Sequence, residues 1–286
     1  LQFLEDQAGE FHFSDIKPRV GTSAVLASRT CRSLCAHLLR AGMPEMTPAS
    51  RIKIVRHLEE AVIPRRDLQN VKGVVFDLDD TLICQKRWIL AKAENVIAHY
   101  VDEGLSEALA AARHLVDEGK AHCLYDCLCD QLSLVSRNAE MIAANRTFVP
   151  ESSFQYTEVA AVLVILSGGY DLGMLTDNPA ASQRQKLEVF PHSDYFKQIV
   201  LTDEVGVSKP ASKGFDTIAQ LLGMDAKDLV MVGDNYHRDI AGAIKAGFGH
   251  AFFIQRPDRM FNTRPEYMDS DRVTPISGLR ELLWHL

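Results

Sequence analysis

Short apolar runs punctuate the chain at residues 71–78, 171–176, 198–202, 229–233 and 250–255. They have the length of buried strands. Between the later runs the spacing of apolar positions turns helical, over 179–188, 212–222 and 238–246. Strands that alternate with helices of about ten residues need crossover connections, and these build a parallel sheet covered on both faces. The predicted fold class is α/β, a doubly wound parallel sheet.

One insertion breaks the rhythm. From Leu82 to about Glu158 the sequence is strand-poor, with amphipathic helical stretches over 88–101 and 105–116. We therefore expect a helical cap over 85–155, inserted into an α/β core made of 67–84 and 156–286. The return passes through Phe148-Val149-Pro150-Glu151-Ser152-Ser153, where the proline and serines mark a boundary before a helix that ends at Gly168-Gly169. Residues 1–66 form an extension outside both units. Within it, 11–16 partly alternates like a half-buried strand, and 24–40 is helical and stopped by Gly42 and Pro44. A second helix starts with Thr47 as its cap and Pro48 in first position, and runs to Ile63. No repeat of fixed period is present.

Composition narrows the function classes. With 286 residues, 47% of them hydrophobic and 24% charged, the chain is long enough for about two domains with a real core. Its 31 basic against 38 acidic side chains leave a net charge of −7, so no broad basic surface is available for nucleic acid or anionic lipid. The most apolar window, 159–166, meets Ser167-Gly168-Gly169 well before the roughly 20 residues of a membrane span. The opening Leu-Gln-Phe-Leu-Glu-Asp lacks the basic and apolar regions of a secretory signal, and its first residue suggests a piece of a longer chain or a processed one. The cysteines number six, too sparse for a disulfide scaffold, and Cys123, Cys127 and Cys129 lack paired CxxC spacing. Reduced thiols and a cytoplasmic location are expected, although His122, Asp126 and Asp130 crowd the same stretch and leave a metal site open.

The strongest chemical signal is VVFDLDDTLI at 74–83, a buried strand that delivers Asp77, Asp79 and Asp80 as it ends. Ligands of open α/β sheets bind at the carboxyl ends of strands. Carboxylates this close repel one another, and a hard divalent cation, Mg²⁺ with retained waters, would relieve them; a solvated acidic turn is the alternative. A second acidic strand end, LVMVGDN, supplies Asp234, followed by Asp239. Between the two, GMLTDN ends a strand with Thr176, Asp177 and Asn178, and Gly206-Val207-Ser208-Lys209-Pro210 offers Lys209 just before a helix. A hydroxyl and an ammonium beside a cation suggest phosphate.

These four elements, in this order, resemble the haloacid dehalogenase superfamily of aspartate-nucleophile phosphotransferases. The match covers about 71–83 and 158–286. The DxDxT motif appears as Asp77-Leu78-Asp79-Asp80-Thr81, the second motif as Thr176, the third as Lys209, and GDxxxxD as Gly233-Asp234 with Asp239. The resemblance implies a Rossmannoid core and a cytoplasmic, Mg²⁺-dependent phosphatase that acts on a small phosphorylated metabolite through an aspartyl phosphate. It makes Asp77 the nucleophile, Asp79 the general acid and base, and Thr176 and Lys209 the phosphoryl ligands. Mg²⁺ would be held by Asp77, the Asp79 backbone carbonyl and Asp234, with Asp239 supporting Lys209 or a metal-bound water. The acid at position 79 favours phosphate esters, because the dehalogenase branch lacks one there.

Substrate recognition falls to the cap, which no motif indexes. Lys86, Arg87 and Trp88 lie near the expected hinge, and Lys86 and Arg87 are candidate substrate contacts, the alternative being a solvated hinge. Asn178, Tyr236 and His237 are further candidates, against local turn and packing roles. The stretch from Phe3 to Ser28 also resembles the closing strand and turn of an ATP-grasp ligase, with Asp15, Lys17 and Arg19 at the places of its Glu-x-Asn-x-Arg pattern. Lys17 there replaces a metal ligand. A fused or associated ligase is the partner this implies. The competing functions are a phosphomutase acting on a sugar phosphate, or a non-catalytic domain of such a ligase.

Overall fold

Six strands pair into one sheet in the computed structural model, which describes residues 68, 70–101, 103–260 and 271–286 and the backbone of an antiparallel hairpin, β1 (Leu4–Glu5) with β2 (Phe11–His12). The sheet contains β3 (Gly73–Phe76), β4 (Asp171–Thr176), β5 (Phe196–Leu201), β6 (Leu229–Gly233), β7 (His250–Ile254) and β8 (Val273–Ile276). Their spatial order is β5-β4-β3-β6-β7-β8, and every neighbouring pair is parallel. The apolar pattern missed β8, whose Val-Thr-Pro-Ile contains a proline; Pro275 is tolerated because β8 lies at the edge of the sheet. The expected strand continuation over 13–16, the helices over 24–40 and 47–63, and the ligase-like positions Asp15, Lys17 and Arg19 lie outside the described residues.

The strands read as continuous apolar runs because both faces are covered. On one face Val74, Phe76, Met174, Val230, Val232 and Phe252 pack with Val159, Val162, Leu163 and Leu166 of a helix that precedes β4. On the other, Val75, Leu175, Met231 and Phe253 pack with Phe215 and Ile218 of a helix that precedes β6. Alternate residues of one strand thus feed two cores, as a period of two requires.

The helices run in chain order as α1 (Gln85–Tyr100), α2 (Leu105–Asp117), α3 (Leu124–Gln131), α4 (Asn138–Thr147), α5 (Val159–Ser167), α6 (Ala180–Glu188), α7 (Thr202–Val205), α8 (Ser212–Leu222), α9 (Gly242–Lys245) and α10 (Leu282–His285). Helices α1 to α4 lie between β3 and β4 and carry their own core, built from Val96, Ile97, Leu115, Leu128 and Met141 among others. The single helix expected over 238–246 is instead a wide π-type turn, Tyr236–Ala241, followed by α9. At its start the Asn235 carbonyl accepts from the N–H groups of both Asp239 (2.8 Å) and Ile240 (3.4 Å), so the bonding slips from four residues to five.

The chain enters and leaves the helical insertion along one paired ribbon. Ile83 bridges Gln155 antiparallel, the Cys84 N–H donates to the Phe154 carbonyl (3.0 Å), and the Tyr156 N–H donates to the Leu82 carbonyl (3.0 Å). Arg256, just past β7, grips both sides of this crossing. Its Nη1 donates to Glu158 Oε1 (2.5 Å), its Nη2 to the Thr81 carbonyl (2.9 Å), and its guanidinium stacks 3.7 Å from the Tyr156 ring centroid. Glu158→Ala leaves this buried cation without its carboxylate and should cost about 3 kcal/mol. The measurement is urea unfolding, with a lower midpoint at unchanged m-value; a loss below ~0.5 kcal/mol would show the pair to be dispensable.

Candidate active site

The sheet's connectivity creates the site. From β3 the chain passes to β4 and β5 on one side, then returns to β6 on the other, so the carboxyl ends of β4, β3 and β6 flank the point where strand order reverses. Those ends deliver Thr176 and Asp177, Asp77, and Asp234. One cavity is lined by Asp77, Asp79, Thr176, Lys209, Asp234 and Asp239, with Gln85, Asp177, Asn178, Asn235 and Arg238 completing its wall.

Lys209 joins the three strand ends. Its Nζ donates to Asp77 Oδ1 (2.6 Å), to Asp239 Oδ1 (2.7 Å) and to the Leu175 carbonyl (3.0 Å), which accounts for all three ammonium protons. Asp177 fixes the lysine's backbone: its Oδ1 accepts from the Lys209 N–H (3.2 Å) and the Thr202 hydroxyl (2.6 Å), while its Oδ2 pairs with Arg238. Asp239 is held in turn by the Asn235 N–H (2.9 Å). It packs so closely on Gly233 that a Cβ there would lie 2.5 Å from Asp239 Cβ, so the residue before Asp234 has to be glycine.

Asp79 faces a different set of donors. Its Oδ2 accepts from Asn178 Nδ2 (2.9 Å) and Gln183 Nε2 (2.9 Å), and its Oδ1 from Lys186 Nζ (2.5 Å). Gln183 also donates to Thr176 Oγ1 (2.5 Å), linking the acid to the strand-end hydroxyl. Asn178 reaches Asp79 from a left-handed backbone conformation, φ 73°, that asparagine tolerates better than most residues. Gln183 and Lys186 were not read from the sequence; they sit three residues apart on one face of α6, and that spacing behind a strand-end Thr-Asp-Asn was the available signal.

Of the remaining sequence candidates, Asp80 is held by backbone, accepting from the N–H groups of Gln85 (2.9 Å) and Met260 (2.7 Å). Lys86 pairs with Asp117, and Arg87 lies 5.1 Å from the Phe154 ring centroid. Both belong to the insertion and its linker, and neither lines the cavity; Gln85 does. The Tyr236 ring packs on Phe253 at 5.6 Å, and His237 is exposed. The thiols of Cys123 and Cys127 are 3.3 Å apart, and Cys129 is buried.

The electrostatics are unbalanced. Burial pushes the Asp77 carboxyl up to about 7 despite Lys209, and burial with Asp239 and Asp77 nearby pushes Asp234 up to about 9. Lys209 shifts the opposite way to what burial alone would give: Asp239 and Asp77 hold it cationic. One ammonium is thus shared among carboxylates that outnumber it. Oxygens of Asp77, Asp234 and Asp239 lie within 4.8 Å of one another, a hard, anionic donor set that suits a divalent cation.

A family model for haloacid dehalogenase-like hydrolases matches residues 74–253. The glyceraldehyde 3-phosphate phosphatase of Pyrococcus abyssi is 30% identical over 194 residues, covering 64% of this chain and 81% of that protein. The pyrophosphatase PpaX of Bacillus pumilus is 30% identical over 208 residues, covering 69% of this chain and 91% of that one. Among solved structures, the HAD-hydrolase YfnB of Bacillus subtilis bound to magnesium has a TM-score of 0.56 at 20% identity, covering 74% of this chain and 96% of that one, a likeness of fold.

The crowded carboxylates set an expected pH response. Unfolded, Asp77 and Asp234 titrate near 3.8; folded and metal-free, they keep protons up to about 7 and about 9. The folded state then binds more protons than the unfolded one, so stability is present at low pH and is lost as pH rises through these values. In EDTA, the thermal midpoint should fall by on the order of 5 °C between pH 5 and 9, and added Mg²⁺ should recover most of the loss at pH 9. A midpoint that rises with pH in EDTA, or ignores Mg²⁺ at pH 9, would contradict this account.

Proposed function

Since the chain belongs to the haloacid dehalogenase-like hydrolase family, we propose that it is a phosphatase that hydrolyses a small phosphorylated metabolite with Asp77 as nucleophile. The observation that carries this reading is the pairing of Asp77 with Lys209 at 2.6 Å in a cavity also lined by Thr176 and Asp234. The phosphatase and pyrophosphatase relatives support it.

A carboxylate oxygen of Asp77 attacks phosphorus as the ester P–O bond breaks, leaving an aspartyl phosphate and an alkoxide. Asp79 gives the departing oxygen a proton. It then takes one from the water that attacks phosphorus, the P–O bond to Asp77 breaks, and inorganic phosphate leaves with the nucleophile restored. Thr176 offers its hydroxyl, and Lys209 its positive charge, to the phosphoryl oxygens, where charge gathers. Asn178, Gln183 and Lys186 position Asp79, and Asp239 positions Lys209. Mg²⁺, held by Asp77, Asp234 and the Asp79 backbone carbonyl, would supply the positive charge that lets an anionic nucleophile approach a phosphate.

Asp77→Asn should abolish phosphate release, by more than about 1,000-fold, with circular dichroism unchanged; retained turnover would overturn the nucleophile assignment. With a sugar phosphate as substrate, free phosphate is the expected product, whereas an isomer would mean a phosphomutase. Lys186→Met should lower kcat by about 10- to 100-fold with KM changed less than about threefold, and Lys186→Arg should recover part of the loss. An unaltered kcat would mean that Asp79 needs no lysine to hold it.

A further inference from the structure

Four cationic side chains are buried among the described residues, and three have carboxylate partners. Lys186 pairs with Asp79, Lys209 with Asp77 and Asp239, and Arg256 with Glu158. The fourth, Lys92 on α1, is 6% exposed and has no ion-pair partner among the described residues. Its Nζ donates to the neutral Gln185 Oε1 (2.8 Å) and lies 5.8 Å from the Trp88 ring centroid. Burial and the neighbouring charge of Lys186 push its pKa down to about 8. A buried charge persists when something compensates it.

Its place in the fold suggests what that is. Gln185 and Lys186 are consecutive on α6, and Lys186 reaches Asp79 Oδ1 at 2.5 Å. The Gln185 amide is anchored on its other side, where Nε2 donates to the Arg146 carbonyl at the end of α4 (2.6 Å). Consecutive residues of α6 thus hold the carboxylate of Asp79 and the ammonium of Lys92, the first at the sheet and the second in the helical insertion. If Asp79 protonates the leaving oxygen, the leaving group departs from the side of the cavity at which α6 meets Asp79. Resting on the phosphatase reading, we propose that Lys92 receives a carboxylate carried by the leaving group, and that the preferred substrates are phosphate esters of hydroxy acids. A single ammonium matches a carboxylate's one charge. A second phosphate would bring excess negative charge into a seam that has one unpaired cation.

The test compares 3-phosphoglycerate with glycerol 3-phosphate, which share a three-carbon skeleton and differ in carrying a carboxylate or a hydroxymethyl tail. Binding is measured by calorimetry in the Asp77→Asn protein with Mg²⁺, so that neither ester turns over. 3-Phosphoglycerate should bind at least about tenfold more tightly, and adding Lys92→Met should weaken it about 30-fold while weakening glycerol 3-phosphate threefold or less. Lys92→Arg should keep the preference. Equal binding of the two esters while Lys92 is present overturns the proposal, whatever the variants do, as do equal losses for both on Lys92→Met or no binding of 3-phosphoglycerate. Phosphate release from p-nitrophenyl phosphate by the unmodified protein tests the underlying reading separately. A Lys92-dependent preference without hydrolysis sinks only the phosphatase, and hydrolysis without the preference sinks only the subsite.

Discussion

The structure of the site depends on one ammonium group. Lys209 meets a carboxylate beyond β3, a carbonyl within β4 and a carboxylate beyond β6, so it ties together the strand ends on both sides of the point where the sheet's order reverses. The same lysine is too little charge for its surroundings. Asp77, Asp234 and Asp239 crowd one region, and burial holds protons on the first two well above the ordinary carboxylate range. A site can be assembled this way only if the rest of the fold is secure, which the two apolar layers on the faces of the sheet provide. The unrelieved repulsion is what makes the cluster suited to a hard cation.

Helix α6 connects this cluster with the helical insertion. One face presents Gln183 and Lys186 to Asp79, while the intervening Gln185 meets Lys92 of α1 and the backbone at the end of α4. The group assigned as acid is therefore linked, through one turn of helix, to the helical insertion.

The parts of this arrangement that were legible in the sequence are those where local chemistry and burial coincide. A strand covered on both faces must be apolar throughout, so the polar residues that end β3, β4 and β6 stand out as Asp77, Thr176 and Asp234. Gln183 and Lys186 did not stand out, because α6 is polar along its length and their burial comes from Asp79, which lies 104 and 107 residues away. Lys86 and Arg87 follow the first motif closely, but α1 begins at Gln85 and turns successive residues about 100° apart. Gln85 reaches the cavity wall, whereas the next two are carried to Asp117 and Phe154. Lys92 was visible in principle, one helical turn from both Trp88 and Val96 on the apolar stripe of α1.

The ribbon between the two units has a mechanical consequence. Because residues 82–84 are hydrogen-bonded to 154–156, the outgoing and returning chains cannot slide past each other without breaking those bonds. Arg256 fixes the root of the ribbon by holding Thr81 and Glu158 together. A joint of this kind flexes like a strip of spring steel, easily across its flat face and stiffly in its own plane. The insertion it carries is thus tied to the core by two adjacent backbone segments held in register, rather than by two separate, freely pivoting linkers.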